Sequence, residues 1–542
     1  MVRKIVLSLV LAAFFSMTHA QGVNYQVIPL PQTITLTQAK PFTLQNGTAV
    51  VYRGQDEEMN RNASFLTGYL KDVTGLTVTV SNQKEKRGDI VLVLDKKIKG
   101  DESYHISVTN KNILVSGKTA TGVFYGIQTL RKSLAGVNKD AQIAFPSVEI
   151  NDCPRFAYRG MMLDCGRHFF PVSFVKEFID LLALHNMNVF HWHLTDDQGW
   201  RIEIKKYPQL TQIGSIRKKT IIGHNSDIDD GTPYGGFYTQ EDAKAIVEYA
   251  RQRHIKVIPE IDMPGHMVAA LATFPELGCT GGPYEVGYAW GVYSDVLCLG
   301  NEKTYTFVQD VIDELIQIFP AKEFHIGGDE TPTERWIDCP KCQALAKKLG
   351  TEPKHLQSYF TNRMEQYLNS KGRTIIGWDE ILEGKINQSA TIMSWRGVEN
   401  GNRAAHLGHD VIMAPNEFAY FDHYQTNKTN NEPMAIGGYL PVEKVYSFDP
   451  APDSLSADAK RHILGAQANL WTEYIPYPQQ AEYMLLPRMA AMAEVQWVPT
   501  NKKDFKAFTE RLNRLVKIYD QKGYVYALQL WPDRYNANRQ RW

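Results

Sequence analysis

The feature that most restricts the fold of this 542-residue sequence is a series of eight short apolar runs that begins after Arg155. Amphipathic segments separate the runs, and this alternation is typical of a parallel β-sheet covered by helices. One of these segments, residues 241–254, follows Thr239 in a pattern that resembles a capping box. Eight strands are the number that closes a (β/α)8, or TIM, barrel. The predicted strands span residues 160–163, 188–194, 256–261, 323–326, 374–377, 391–394, 410–413 and 465–470.

A smaller unit precedes these runs. It has a predicted helix at residues 120–134, with Val123, Ile127 and Leu130 on one face. No cluster of acids or histidines lies at its strand ends, which favours a structural or docking role over a catalytic one. Its predicted strands are short and span residues 77–80, 89–94, 104–108 and 113–115.

We therefore predict an α/β fold class, in which a catalytic TIM barrel is preceded by a smaller α+β domain. The predicted divisions are a signal peptide at residues 1–20, an N-terminal α+β domain at 21–150 and the barrel with a C-terminal helical extension at 151–542. The composition is that of a globular protein, with 43% hydrophobic and 22% charged residues. Basic and acidic residues number 59 each, which argues against a protein that binds nucleic acid or an anionic membrane.

The first residues have the pattern of a secretory signal peptide. Arg3 and Lys4 precede an apolar run over residues 5–17, and Thr18-His19-Ala20 is a small-residue cleavage site. The run is short for a membrane span, and no later stretch of suitable length follows. We expect an exported protein, periplasmic or extracellular, without a transmembrane segment. Because no cysteine follows the signal, a lipid-anchored start is not expected.

Export changes the interpretation of the six cysteines. Cys339 and Cys342 form a CPKC pair, but zinc requires a second ligand pair and none at suitable spacing follows. In an oxidising compartment, a disulfide between Cys279 and Cys298 and a second between Cys339 and Cys342 are consistent with the sequence. Spacing alone does not determine the pairing, and Cys153 and Cys165 are left unassigned.

Polar and aromatic residues follow nearly all of the predicted barrel strands. In a TIM barrel these strand ends face one mouth, where active sites are found. A single Asp after a strand is usually a helix cap, but this many strand ends with carboxylate, His, Arg or Trp indicate a site. Carboxylates and Arg bind hydroxyl groups and indoles form walls, so the mixture suits a neutral polyhydroxylated ring. The His191-Trp192-His193 segment suggests a metal site, but a strand in this position favours buried packing.

Four motifs lie at or near these strand ends: HWHLTDDQGWR (191–201), PEIDMPGH (259–266), HIGGDE (325–330) and WTE (471–473). Together they resemble the motifs of glycoside hydrolase family 20, the exo-acting beta-N-acetylhexosaminidases. The resemblance extends over the chain that follows the signal peptide, because the family also has an α+β domain before its barrel. It implies removal of terminal beta-linked N-acetylhexosamine through an oxazolinium intermediate formed by the substrate's own acetamido group. The spacing of Cys279 and Cys298 also resembles a disulfide of bacterial members.

The resemblance assigns catalytic roles residue by residue. It implies that Glu330 is the general acid/base and that Asp329 orients the acetamido group. His266 and Asp196 resemble the pair that supports the acid through hydrogen bonds, and Asp262 belongs to the surrounding shell. A neighbouring carboxylate raises the pKa of an acid, as catalysis near neutral pH requires.

Binding roles follow in the same way. The resemblance implies that Arg167 holds the 3- and 4-hydroxyls, and that Trp378, Trp395 and Trp471 form the aromatic walls. Tyr420 would contact the acetamido oxygen, and Asp422 and Glu473 would contact sugar hydroxyls. No cofactor and no metal ion are expected.

The sequence is also compatible with three other functions. They are a glycan-binding protein that has lost the reaction, a related hydrolase that releases a disaccharide or a sulfated sugar, and a zinc enzyme built on the HWH and CPKC segments. The sequence does not decide between GlcNAc and GalNAc ends or identify the natural glycan. It also leaves the oligomeric state open, a homodimer being one state considered.

Overall fold

The computed structural model describes residues 22–137, 142–224 and 226–537. The predicted signal peptide, and with it the predicted export, therefore rests on residues outside the described part of the chain. Within that part, no helix has both the length and the hydropathy that crossing a membrane requires.

The N-terminal unit is a seven-stranded mixed sheet with two helices. Its strands are β1 (Thr33–Leu36), β2 (Ala49–Tyr52), β3 (Thr79–Ser81), β4 (Ile90–Leu94), β5 (Tyr104–Val108), β6 (Ile113–Gly117) and β7 (Val148–Asp152). They lie in the order β1-β7-β5-β6-β4-β2-β3. The helices α1 (Glu57–Thr74) and α2 (Ala120–Ser133) pack on the sheet and on each other. Helix α1 begins after Asp56, whose carboxylate accepts two backbone N–H groups, and ends at Gly75 with φ +71°.

The second unit is a closed barrel of eight parallel strands, and it confirms the predicted fold class. The last strand pairs with the first, so the sheet has no free edge. Each predicted strand overlaps an observed strand, and the strand predicted at 391–394 has the observed bounds. The strands are β8 (Tyr158–Asp164), β9 (Val189–His193), β10 (Lys256–Glu260), β11 (Glu323–His325), β12 (Thr374–Trp378), β13 (Thr391–Ser394), β14 (Val411–Met413) and β15 (Ile463–Leu470).

Helices surround the barrel. The predicted helix at 241–254 spans Gln240–Arg251, and Thr239 and Asp242 form the capping box. The long helices are α3 (Val172–Leu184), α4 (Gln240–Arg251), α5 (Glu302–Ile318), α6 (Pro340–Leu349), α7 (Leu356–Ser370), α8 (Val398–His406), α9 (Pro478–Leu485), α10 (Arg488–Trp497) and α11 (Phe505–Lys522). Short helices span Gln209–Gln212, Val268–Thr273, Glu334–Asp338, Asn416–Ala419, Val442–Ser447, Ala457–His462 and Pro532–Ala537.

Short strand pairs and 3-10 turns complete the connections. The pairs are Phe42–Thr43 with Ala144–Phe145, Thr195–Asp196 with Gly199–Trp200, Ile216–Arg217 with Tyr234–Gly235, and His423–Tyr424 with Gly437–Tyr439. The 3-10 turns are Pro275–Leu277, Pro353–His355, Asp379–Glu383, Thr429–Asn431 and Thr500–Lys502.

An ion pair between a buried arginine and a partly buried glutamate joins the two units. The guanidinium of Arg159, on the first barrel strand, donates hydrogen bonds of 2.8 Å to both carboxylate oxygens of Glu102. It also donates to the hydroxyl of Tyr125 on α2.

Inside the barrel, apolar side chains including Met162, Ile258 and Ile412 form a separate buried cluster beneath the mouth.

The cysteines differ from the sequence-based expectation. All six lie in the described part of the chain and all are free thiols, so the pairs Cys279–Cys298 and Cys339–Cys342 are not disulfides in the structure. The reason is that helix α6 begins against the loop that follows β10, which brings both pairs together. Cys342 Sγ lies 3.9 Å from Cys279 Sγ, and Cys298 Sγ lies 3.7 Å from both Cys339 Sγ and Cys342 Sγ. The four residues form one cluster.

Candidate active site

The mouth of the barrel contains a strained turn that presents two carboxyl groups. After β11, Gly327 and Gly328 have φ values of +68° and +98°, and Glu330 has φ +43°. A positive φ is costly for a residue with a Cβ and is often found at functional sites. Asp262, after β10, supports the turn, because its Oδ1 accepts the backbone N–H of Gly328 at 3.1 Å. Burial, followed by the charge of Asp329, raises the pKa of Asp262 well above its usual range.

Asp329 and Glu330 differ in their exposure to solvent. The Asp329 side chain is 11% exposed, whereas that of Glu330 is 43% exposed. The two consecutive carboxyl groups therefore differ in environment, Asp329 being mostly enclosed at the barrel mouth and Glu330 being open to solvent. Burial, and then the neighbouring Asp329, raise the pKa of Glu330, while the charge of His266 lowers it. An acid placed in this way can hold a proton and exchange it with an incoming group.

His266 lies between these carboxyl groups and a second acidic pair. Its Nδ1 is 3.2 Å from Asp196 and 3.1 Å from Asp197. Its Nε2 is 3.7 Å from an oxygen of Asp329 and 3.7 Å from an oxygen of Glu330. Burial acts to lower the pKa of His266, but the adjacent carboxylates raise it well above the usual value. The imidazole therefore carries a positive charge that faces Asp329 and Glu330.

A buried polar network lies beneath His266. His193 Nδ1 is 2.5 Å from Glu260, and its Nε2 is 2.9 Å from Asp196. Glu260 also lies 2.9 Å from His191 Nε2 and 3.0 Å from His325 Nδ1. The two histidines of the HWH segment are buried, as predicted, and each contacts both an aromatic ring, Trp378 or Trp471, and the carboxylate of Glu260. His193 contacts both Glu260 and Asp196, so the network holds Asp196 in place through this ring.

Arg167 lies on the other side of Asp196. Its Nη2 is 3.0 Å from Asp196 and its Nη1 is 3.4 Å from Asp164. The guanidinium also lies 5.0 Å from the ring centre of Trp471. Its Nε is buried and has no hydrogen-bond partner among the described residues, so this cation can still donate to a polar group of a ligand.

Four aromatic side chains form a wall at the mouth. The ring centres of Trp378 and Trp471 are 5.8 Å apart, and those of Tyr420 and Trp471 are 6.3 Å apart. Trp395 stacks on Tyr420 at 6.0 Å with an interplanar angle of 19°. The indole N–H of Trp378 also donates to the buried Glu260 at 2.9 Å, which fixes the orientation of this ring.

Two acidic residues hold Trp395 in this wall. Asp379 accepts the backbone N–H of Trp395 at 2.8 Å, and Glu380 accepts its indole N–H at 2.9 Å. Burial, and then the charges of Asp329 and Asp379, raise the pKa of Glu380 to about 8. Glu380 is therefore a further acid at the mouth whose pKa is raised, as are those of Asp262 and Glu330.

Asp422 and Glu473 supply two more carboxyl groups at the same mouth. Asp422 is buried, and its Oδ1 has no hydrogen-bond partner among the described residues. Burial, and then the charge of Glu473, raise the pKa of Asp422 well above its usual range. Burial raises the pKa of Glu473 as well, against the lowering effect of Arg167. An unpaired acceptor of this kind is suited to a hydroxyl group of a ligand.

The structure thus brings the predicted residues to one end of the barrel. Sequence reasoning did not assign site roles to Asp197, Glu260, His193 and Glu380, although all four touch the assigned residues. Asp197 and His193 lie inside the HWHLTDDQGWR motif, and Glu260 inside PEIDMPGH, so the motifs contained the signal.

Comparisons with known proteins agree with this geometry. Residues 156–500 match the family described as glycosyl hydrolase family 20, catalytic domain, and residues 24–153 match domain 2 of the same family. A beta-hexosaminidase of Porphyromonas gingivalis is 43% identical over 521 residues, which are 94% of this chain and 65% of that protein. A beta-hexosaminidase of Vibrio furnissii is 38% identical over 410 residues, which are 75% of this chain and 66% of that protein. The chain spans slightly less than two thirds of both relatives.

Solved structures of family 20 enzymes are also similar to this chain. The GH20 beta-N-acetylhexosaminidase from Streptomyces coelicolor is similar with a TM-score of 0.80 and 31% identity, over 93% of this chain and 97% of that chain. The GH20 exo beta-N-acetylglucosaminidase from Vibrio harveyi, solved in complex with N-acetylglucosamine, has a TM-score of 0.81 and 32% identity, over 93% of this chain and 79% of that chain. Since the catalytic-domain match alone covers more than half of the sequence, this chain belongs to glycosyl hydrolase family 20.

Proposed function

We propose that the chain is an exo-acting, retaining beta-N-acetylhexosaminidase. It would remove terminal, non-reducing beta-linked GlcNAc or GalNAc from glycans or chitooligosaccharides. The observation that carries the proposal is the pair Asp329–Glu330, whose two carboxyl groups both approach His266 but differ in exposure. One lies where a substituent of a bound sugar would be enclosed, and the other lies where a leaving group would meet solvent.

In the first step, the acetamido oxygen of the substrate bonds to the anomeric carbon while the glycosidic bond breaks. The electron pair of that bond passes to the leaving oxygen, which takes the proton of Glu330. Asp329 accepts the acetamido N–H and balances the positive charge of the oxazolinium that forms. The raised pKa of Glu330 supports this role, because the acid must be protonated when substrate binds.

In the second step, the Glu330 carboxylate takes a proton from water and the water oxygen bonds to the anomeric carbon. The bond from that carbon to the acetamido oxygen breaks, and its electron pair returns to the amide. Two inversions give net retention. His266 and Asp196 would position the acid, since the charged imidazole faces Glu330 and is held by Asp196 from behind.

Binding follows from the remaining groups. Arg167 would donate to the 3- and 4-hydroxyls, and Asp422 and Glu473 would accept from hydroxyls on the far side of the ring. Tyr420 would donate to the acetamido oxygen. The wall of Trp378, Trp395 and Trp471 offers flat apolar faces against which a sugar ring or its N-acetyl methyl group packs.

Hydrolysis of 4-nitrophenyl beta-glycosides tests the proposal. We expect turnover of the GlcNAc substrate, turnover of the GalNAc substrate, and barely any turnover of the glucoside, which lacks the acetamido nucleophile. A thiazoline that mimics the oxazolinium should inhibit strongly. Comparable turnover of the glucoside and the N-acetylglucosaminide would overturn the substrate-assisted mechanism, and binding of GlcNAc without any turnover would favour a glycan-binding protein.

We also propose that the protein is exported to the periplasm or the cell exterior, on the basis of residues 1–20. N-terminal sequencing of protein from fractionated cells would test this. A mature start near Gln21 in the periplasmic or secreted fraction is expected, and an intact Met1 in the cytosol would contradict the proposal.

A further inference from the structure

A second group of reactive side chains lies away from the sugar-binding mouth. It consists of Cys279 and Cys298, from the loop after β10, and Cys339 and Cys342, at the start of α6. The four sulfur atoms all lie within 4.8 Å of one another. Cys298, Cys339 and Cys342 are buried, and Cys279 is partly buried. The proposed glycosidase chemistry uses none of them.

The sulfur separations have the dimensions of a metal site. The Sγ–Sγ distances are 3.9 Å for Cys279–Cys342, 3.7 Å for Cys298–Cys339 and 3.7 Å for Cys298–Cys342. A tetrahedron with Zn–S bonds of about 2.3 Å has edges of about 3.8 Å. A disulfide requires about 2.05 Å between sulfurs, and Cys342 and Cys298 each have two sulfur neighbours at nearly equal distance. This arrangement fits four ligands around one centre.

The backbone around the cluster is built for close approach. The N–H of Gly300 donates to Cys342 Sγ at 3.4 Å. A Cβ on Gly300 would lie 2.2 Å from the carbonyl carbon of Lys341, so this loop rests directly on the CPKC turn. The loop is fixed on its other side, where the N–H of Cys298 donates to the carbonyl of Leu277 at 2.8 Å.

Helix α6 adds a favourable field. Cys339 is its N-cap residue and Cys342 lies in its first turn, with Pro340 at the first helical position. The N-terminus of a helix carries partial positive charge and stabilises a thiolate, which is the form that binds metal. Four cysteine ligands at these separations suit a metal ion with tetrahedral coordination. Zinc is the ion that most often occupies structural sites of this kind.

We propose that Cys279, Cys298, Cys339 and Cys342 bind one structural Zn²⁺ ion. The ion joins the connection after β10, which carries His266, to the connection after β11, which carries Asp329 and Glu330. Its role is to hold these two segments together, and it takes no part in the reaction. The proposal is independent of the sugar that the enzyme accepts.

Metal analysis of the full chain, purified without chelator or reductant, tests the proposal. We expect about one zinc per chain, with release when a mercurial reagent modifies the thiols. Reconstitution with Co²⁺ should give the thiolate-to-metal charge-transfer band and the intense d–d bands of tetrahedral cobalt. The mass of the unreduced, denatured protein should retain all six thiol hydrogens.

Variants separate this site from adventitious binding. Cys339→Ser and Cys342→Ser should lose zinc and show a lower Tm, while turnover per folded molecule at low temperature persists. The matched control is Cys153→Ser, which changes an exposed cysteine outside the cluster and should keep the zinc. Should either variant fail to fold, the metal content and thiol count of the wild type decide alone. Two disulfides without zinc, iron in place of zinc, or zinc retained after Cys339→Ser plus Cys342→Ser would overturn the proposal.

Discussion

The Nε2 atom of His266 lies 3.7 Å from a carboxylate oxygen of Glu330, and both residues have positive φ, at +51° and +43°. They follow different strands, β10 and β11, so two strained turns bring an imidazole and an acid face to face. Strain of this kind persists only where the surrounding structure enforces it. Here Asp196 and Asp197 hold the other side of the imidazole. The contact is therefore imposed by the fold.

This contact predicts how His266→Gln changes the pH profile. The charge of His266 lowers the pKa of Glu330, so its removal should raise that pKa further. The alkaline limb of kcat/KM, where the acid loses its proton, should move to higher pH, and the maximal rate should fall. The control is His462→Gln, which changes a partly exposed histidine just before β15 at the opposite end of the barrel. An alkaline limb that stays in place or moves down would contradict the assignment.

The two neighbouring acids should respond differently to replacement by the corresponding amides. Glu330→Gln removes the transferable proton, and general acid catalysis contributes roughly 10²–10⁴ in rate. The loss should be largest for chitobiose and milder for nitrophenyl glycosides, whose leaving group needs little protonation. Asp329→Asn should slow both substrates by a similar factor, because it disturbs the acetamido group. Steady-state kinetics on both substrates would reveal the pattern, and a reversed dependence would exchange the two roles.

The barrel and much of its site could be predicted from the sequence because both depend on local pattern. Parallel strands are buried on both faces and read as apolar runs, and the residues after them meet at one mouth. The N-terminal unit was predicted less completely. Strands β1, β2 and β7 and helix α1 were not identified, although Asp56 and Gly75 are recognisable cap residues for α1.

The missed relationships are those that only tertiary approach creates. Glu260 looks like an ordinary residue of a buried strand, and its contact with three histidines depends on the pairing of β9, β10 and β11. The cysteines are a similar case. No second ligand pair follows CPKC in the sequence. The fold instead brings Cys279 and Cys298, which precede CPKC in the sequence, against it.

Glu260 should make a pH-dependent contribution to stability. Burial acts to raise the pKa of Glu260, but the surrounding histidines lower it well below the usual range. An acid with a lowered folded-state pKa stabilises the fold above its unfolded pKa of about 4.3, and this stabilisation is lost as the pH falls towards the folded value. Glu260→Gln should lower the free energy of unfolding at pH 6 by about 3–5 kcal/mol, as when one partner of a buried pair is removed. Urea titrations should show a smaller difference below about pH 4, and a pH-independent difference would argue against this electrostatic role.

Gly327, in the turn that leads to Asp329 and Glu330, should not tolerate a side chain. Gly327 has φ +68°, and a Cβ there would lie 1.7 Å from Oδ1 of Asp262. Gly327→Ala forces either the turn or Asp262 to move, in addition to a cost of about 1–2 kcal/mol for an L-residue in this conformation. We expect a lower Tm and a larger loss of kcat than of binding, because Asp329 and Glu330 are carried by the displaced turn. The control is Gly68→Ala in helix α1, where a Cβ meets no atom within 4 Å and should stabilise the helix by about 0.5–1 kcal/mol. Wild-type kcat in Gly327→Ala would show that the positions of the two acids do not depend on the close contact between this turn and Asp262.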